Sequence, residues 1–342
     1  MEGSEQDVAR RTVLMSAGLV GAGLVAGAAT ARAEGAAVAG AAEIWSHKYW
    51  AHKGNVKLSL WRKRVGAPKA GEKPLPVLFL VHGSSFATRT SYDLQVPGSV
   101  DYSTMNLFAR AGYDVWTMDH DGYGYSGSSG NNSDIASGVE DLKAAIPVVV
   151  KETGQQKMHF YGPSSGSIRA GAYAMVEPER VDRLVLAAFT YKGKDSVEMD
   201  RRRKRVEELR ANPRRKRDAA MIRSVYTRDG HAEAYDPALI EAIVAAEMKF
   251  GDTIPSGTYL DMAVNLPLVD PTKVKSPVLM IRGEHDGNST NDDLLDFYRQ
   301  LPNGDRQFVI LPQTAHSLGY SKNRHLLWYA VQNFLAAPTP VA

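Results

Sequence analysis

The sequence predicts an α/β fold: a mostly parallel central sheet flanked by helices, with an inserted helical segment near the middle. Three observations point there. Short continuous apolar runs at 77–81, 158–161 and 277–281 read as strands buried on both faces. Stretches with helical composition at 102–111, 135–152 and 165–177 alternate with these runs, and such alternation requires a parallel sheet. From about residue 191 to 270 the alternation stops, and a long stretch of helical composition takes its place.

The elements follow in order. Arg10-Arg11 precedes an apolar but Gly/Ala-rich stretch, 13–29, and then Ala31-Arg32-Ala33. A twin-arginine pair, a weakly apolar run and an A-x-A site read as a Tat-type signal peptide over 1–33, with a mature start near Glu34. The run is about 17 residues long, marginal for spanning a bilayer, so no stable membrane anchor is expected after cleavage. The expected destination is the periplasm or the exterior. Segments 43–50 and 56–64, joined by Lys53-Gly54-Asn55, read as an opening β-hairpin, and 68–76 as a connector. The core then divides into a first part, 34–190, and a second part, 271–342. Between them lies the inserted helical segment, 191–270.

The chain has 342 residues, 44% of them hydrophobic, enough for a large core. It has no cysteine, which removes disulfides, a thiol nucleophile and thiolate metal sites together. A net charge of +3 gives no case for nucleic acid. The inserted segment opens with two basic runs, Arg201-Arg202-Arg203-Lys204-Arg205 and Arg214-Arg215-Lys216-Arg217. Interleaved Glu207 and Glu208, with flanking Asp200 and Asp218, favour a solvated helix face; an anionic substrate is the second reading. Ile240, Ile243, Val244 and Met248 lie at helical spacing and read as packing residues that can also line a pocket.

Gly162-Pro163-Ser164-Ser165-Gly166 carries the chemistry. It is G-x-S-x-G between an apolar run and a helix-like stretch. A serine in so sharp a strand-to-helix turn needs small neighbours and ends with its hydroxyl lifted clear of the sheet. Such a serine needs a base, and the base an orienting acid. Downstream, the run 277–281 leads to Gly283-Glu284-His285-Asp286, and the run 306–311 to Ala315-His316. The order Ser164, Asp286, His316 is that of a nucleophile-elbow hydrolase. Upstream, the run 76–81 ends in His82-Gly83-Ser84. This loop can set the Ser84 N–H opposite that of Ser165, and each such donor stabilises an oxyanion by about 3 kcal/mol.

These four motifs, with Asp119-His120-Asp121-Gly122-Tyr123-Gly124-Tyr125-Ser126, resemble the α/β-hydrolase superfamily over residues 45–336. The last segment is similar to the family loop D-x-x-G-x-G-x-S, which often has arginine where this chain has Asp121. The resemblance implies an α/β-hydrolase fold with a lid. Its G-x-x-D pattern favours Asp286 over Glu284 as the acid. His82, His120, His231 and His325 compete less well with His316 as the base, and His285 reads as a loop residue. No His/Asp/Glu cluster has metal-site spacing, and no dinucleotide fingerprint is present, so no cofactor is expected.

The expected activity is hydrolysis of a small carboxylic ester through an acyl-enzyme. Alternatives on the same triad are a C–C bond hydrolase, an amidase or an interfacial lipase, and outside enzymes a ligand-sensing binding protein.

Overall fold

The computed structural model describes residues 43–96 and 101–338. The proposed signal peptide lies outside the described residues. The described residues form one compact unit. Its strands are β1 (Ile44–Lys53), β2 (Val56–Val65), β3 (Val77–Val81), β4 (Asp114–Met118), β5 (Met158–Pro163), β6 (Val181–Ala187), β7 (Arg214–Lys216), β8 (Thr253–Pro255), β9 (Val278–Gly283) and β10 (Arg306–Leu311). Eight of them form one sheet in the order β1-β2-β4-β3-β5-β6-β9-β10. The hairpin β1–β2 is antiparallel and joins β4 antiparallel; every other pairing in this sheet is parallel.

The helices are α1 (Thr88–Tyr92), α2 (Thr104–Arg110), α3 (Ile135–Thr153), α4 (Ser165–Val176), α5 (Val197–Arg203), α6 (Val206–Ala211), α7 (Ala219–Thr227), α8 (Pro237–Glu247), α9 (Gly257–Val264), α10 (Asn291–Gln300) and α11 (Arg324–Leu335). α3 shows why such segments are helical. Asp134 caps it by accepting from the Ser137 N–H at 2.8 Å, and Gly154 ends it at φ +73°. Between the caps Leu142, Ala145, Ile146 and Val149 form a buried stripe at helical spacing.

All five residues of β3 are buried, and they alternate between two cores. Val77, Phe79 and Val81 join the side built by α3, α4 and α10; Leu78 and Leu80 join the side built by α2 and α11. Burial of each large apolar side chain contributes about 1.5–3 kcal/mol, so a strand packed on both faces resists displacement. That rigidity holds the loop at its carboxyl end.

Between β6 and β9 lie α5 to α9. The sequence led us to expect helices alone here. Instead Arg214–Lys216 pairs antiparallel with Thr253–Pro255, so the second basic run is a strand and not a helix face. A third apolar cluster lies largely in this segment, around Ile222, Tyr226, Leu239 and Ile243.

Candidate active site

The loops after β3, β5, β9 and β10 carry the sequence motifs, and these parallel strands place them on one edge of the sheet. That edge is where α/β sheets bind ligands. Ser164 caps α4 with φ +57° and ψ −129°, a backbone that L-residues adopt only under constraint. Its N–H donates to the Ala187 carbonyl at 2.9 Å, and its carbonyl accepts from the Ser167 N–H at 3.0 Å. Both glycines of the motif are sterically required. A Cβ on Gly162 would overlap the Gly166 carbonyl and stand 2.7 Å from the Ser167 nitrogen. A Cβ on Gly166 would overlap the Val81 carbonyl and stand 2.9 Å from that of His82. The second clash is with the end of β3, not across the turn itself: Gly166 lets α4 pass against the neighbouring loop.

That loop brings Gly83, Ser84 and Ser85 over the elbow. Ser84 and Ser165 are joined through their hydroxyls at 2.6 Å, and Thr258 Oγ1 donates to Ser84 Oγ at 2.8 Å. The Ser84 carbonyl accepts from Arg215 Nη2 at 2.9 Å and Tyr123 Oη at 3.3 Å. Among the described residues, neither the Ser84 nor the Ser165 backbone N–H has an acceptor.

Two backbone bonds tie the β9 and β10 loops together: Glu284 N–H to the Leu311 carbonyl and His285 N–H to the Thr314 carbonyl, both 2.9 Å. They bring His316 Nδ1 to 2.9 Å from Asp286 Oδ1. Asp286 is 1% exposed. Burial pushes its carboxyl up, but His316, the Asn288 N–H and Arg282 outweigh this and hold it below the usual carboxylate value. Glu284 instead accepts from the Gln313 N–H at 2.8 Å on the exposed side of the loop. Asn288 Nδ2 stands 3.3 Å from His316 Nε2. Sequence reasoning passed over Asn288, an unremarked loop residue two positions beyond Asp286.

The competing histidines have other surroundings. His82 Nε2 accepts from the His120 N–H at 3.0 Å, and its Nδ1 lies 2.8 Å from the Gly83 carbonyl. His120 Nδ1 lies 3.0 Å from Asp141, which also binds Lys53. His285 stacks on His231 at 3.6 Å. Asp121, where the family loop often has arginine, lies 3.2 Å from Lys53 Nζ and accepts from the Ser129 N–H.

Ser164 and His316 line one cavity of about 730 Å³, its open mouth included. Gly83, Ser84, Tyr161, Leu318 and Trp328 are among the core residues of its wall; Arg202, Val225, Tyr226, Arg228 and Tyr259 come from the inserted segment. The basic runs therefore divide. Arg201, Arg203, Arg205 and Arg210 make i,i+3 pairs with Glu198, Asp200, Glu208 and Glu207, as a solvated face would. Arg202 and Arg215 point inward and are 4% and 6% exposed. Their signal was helical phase: Arg202 shares a face with buried Glu198 and Met199, which a reading of charge runs alone ignores.

Among the described residues no group of three His, Cys, Asp or Glu could hold a metal ion, and no helix is long and apolar enough to cross a membrane.

Fold and site together define an α/β hydrolase. Residues 99–322, more than half the chain, match the serine aminopeptidase S33 family, and the chain belongs to that family. A 2-hydroxy-6-oxononadienedioate/2-hydroxy-6-oxononatrienedioate hydrolase of Paraburkholderia phymatum is 32% identical over 141 residues, 39% of this chain and 41% of that protein. Lipase 3 of Drosophila melanogaster is 31% identical over 34% of this chain and 32% of that protein. The chain thus matches less than half the length of these relatives. Among solved structures, 2-hydroxy-6-oxo-6-phenylhexa-2,4-dienoate hydrolase from Rhodococcus sp. strain RHA1 superposes with TM-score 0.62 at 16% identity, covering 86% of this chain and 100% of that one. A carboxylesterase of Bacillus subtilis superposes with TM-score 0.60 at 18% identity, covering 87% and 94%. At such identities the likeness concerns the fold.

Proposed function

We propose that the protein is a serine hydrolase that cleaves a small carboxylic ester through an acyl-enzyme. The observation that carries this is the His316–Asp286 contact at 2.9 Å, formed beside a cavity into which a strained elbow presents Ser164. Ser164 Oγ attacks the ester carbonyl while His316 Nε2 takes its proton. Asp286 accepts from Nδ1–H, which fixes the tautomer and stabilises the imidazolium. The Ser84 and Ser165 N–H groups, without acceptors among the described residues, hold the oxyanion. His316 then protonates the leaving alcohol, and water hydrolyses the acyl-enzyme by the same path reversed. No cofactor enters this scheme.

The test is labelling by a fluorophosphonate together with turnover of p-nitrophenyl esters from acetate to palmitate. Labelling at Ser164 and a maximum at short or compact acyl chains are expected, because the cavity is bounded by the inserted segment. A maximum at the long end with interfacial activation favours the lipase reading. Labelling without turnover favours a ligand sensor. The partial match to dienedioate hydrolases supports C–C bond cleavage as a second reading; preferred cleavage of a vinylogous diketone over every ester would establish it.

The twin-arginine segment supports Tat export to the periplasm or exterior. Replacing Arg10 and Arg11 by lysine is expected to leave the precursor in the cytoplasm, and fractionation decides it.

A further inference from the structure

We propose that Arg202, Arg228 and Tyr259 form a carboxylate-binding subsite in the Ser164 cavity, so that the natural substrate carries a second carboxylate that does not react. The inference rests on the serine-hydrolase reading and names its substrate class.

Other buried arginines show what is unusual here. Arg62 has Asp114 at 2.6 Å, Arg183 has Asp305 at 2.8 Å and Arg217 has Glu247 at 2.7 Å. Arg202 has no such partner among the described residues. Its Nη1 faces two thioether sulfurs, Met262 Sδ at 3.0 Å and Met199 Sδ at 3.7 Å, and its Nε has no acceptor. Arg169 and Arg215 share the lack of a carboxylate, but Arg169 lies under α3 and donates to the Ser133 carbonyl, Arg215 donates to the Ser84 carbonyl, and neither is in the cavity wall. A guanidinium removed from water without an anion is costly. One that lines a cavity has its natural anion in the ligand, and its planar fork suits a carboxylate.

The neighbours strengthen the case. The Arg202 guanidinium lies 4.4 Å from the Tyr259 ring centre and that of Arg215 lies 4.0 Å from it. Arg228 donates to Asn288 Oδ1 at 3.3 Å, and its Nε is 3.9 Å from Glu198, too long for a hydrogen bond. Asn288 in turn touches His316, so the basic wall adjoins the reacting centre. The phenols report the local potential. Burial raises Tyr161, Tyr226, Tyr235 and Tyr320 above the usual phenol value. Burial also pushes Tyr259 up, yet Arg215, Arg202 and Arg228, helped by Ser85, bring it down to about 6. Burial lowers Arg202 itself to about 10, with Arg228 and Arg215 acting in the same direction. The same three arginines give this wall of the cavity a positive field, which a ligand carboxylate meets.

The experiment compares monoethyl succinate, glutarate and adipate with the ethyl esters in which a methyl group replaces the free carboxylate. For at least one pair, kcat/KM should favour the anionic ester at least about tenfold, the span of one well-made charged contact. Arg202→Gln and Arg228→Gln should each cut that ratio about tenfold. Free glutarate should protect Ser164 from the fluorophosphonate in the wild-type protein, a readout that needs no folded variant and no turnover. If the neutral esters are turned over as well as the anionic ones, and glutarate does not protect, the subsite falls while the Ser164 mechanism stands. If neither series is turned over and Ser164 is not labelled, both fall.

Discussion

Asp286→Asn tests the assignment of the acid against its neighbour. The substitution keeps size and packing at a position that is 1% exposed, so the fold should survive. Its effect is on the proton. In the native protein the carboxylate accepts from His316 Nδ1 across 2.9 Å and from the Asn288 N–H at 2.9 Å. Both bonds fall on Oδ1, and Oδ2 has no partner among the described residues. An asparagine that turns its amide toward Nδ1 donates to it, which leaves the hydrogen on Nε2, so that Nε2 can no longer take the proton of Ser164; one that keeps its carbonyl at the Oδ1 position retains both bonds and acts through lost charge. Either orientation withdraws the negative charge that stabilises the imidazolium. Loss of the productive tautomer in such a triad costs about 10⁴ in kcat. At about 1.36 kcal/mol per factor of ten, that is about 5.4 kcal/mol of barrier. The assay is kcat on the best ester, alongside the rate of fluorophosphonate labelling and the melting temperature. Both rates should fall together while Tm stays close to wild type. Glu284→Gln is the control: Glu284 accepts from the Gln313 N–H and lies 3.7 Å from His285 Nε2 on the exposed side of the loop, away from His316, so kcat should change less than about threefold, a fraction of one hydrogen bond's worth. An Asp286→Asn enzyme within tenfold of wild type, or a larger loss at Glu284, would refute the reasoning.

Further outcomes follow from the same geometry. Ser164→Ala should lower kcat at least about 10³-fold without altering Tm. Gly166→Ala should destabilise by about 3 kcal/mol and abolish labelling, because its Cβ meets backbone oxygens of Val81 and His82 that cannot rotate away; Gly304→Ala, open to solvent, should stay within about 0.5 kcal/mol by denaturant melts. Tyr259 should titrate near about 6 in an ultraviolet tyrosinate titration, a step absent from Tyr259→Phe. Its folded value lies below the ordinary phenol value, so its ionisation stabilises the fold at high pH, and that contribution is lost as pH falls through about 6. A titration with no step below the ordinary tyrosine range would overturn the reading of the arginine cluster.

The sheet and the elbow were legible because they rest on local rules. Val77–Val81 is apolar at every position and β3 is buried at every position; Gly162 and Gly166 are small where the backbone leaves no room. The order of Ser164, Asp286 and His316 was readable for a similar reason: each follows an apolar run, and parallel strands deliver their following loops to one edge. The insertion was not readable in this way. Whether an arginine there faces water or the cavity depends on the phase of a short helix and on what packs against it. Arg201 and Arg202 are adjacent, yet one reaches out to solvent while pairing with Glu198 and the other lies against Met262. Arg215 belongs to a ribbon closed by Thr253–Pro255, nearly 40 residues away, and no local pattern announces that pairing. Arg228 and Asn288 meet only through the tertiary fold.

The inserted segment also reaches the reacting centre from the other side. A peptide group can present its N–H to an oxyanion only if its carbonyl is held pointing away. At Ser84 that carbonyl is held by Arg215 from β7 and by Tyr123 from the loop after β4. The Ser84 hydroxyl is held by Thr258 from α9 and by Ser165. Two of these four restraints come from the insertion. Arg215 has a second task, since the same guanidinium lies over the Tyr259 ring. One residue therefore links the orientation of the oxyanion loop to the basic wall of the cavity. A ligand that draws Tyr259 or Arg202 toward itself changes the surroundings of Arg215, and through Arg215 it bears on the donor at Ser84. Under the proposed mechanism the insertion is part of the catalytic frame as well as a wall for the substrate, and substitutions at Arg215 are expected to act on turnover and on substrate choice together.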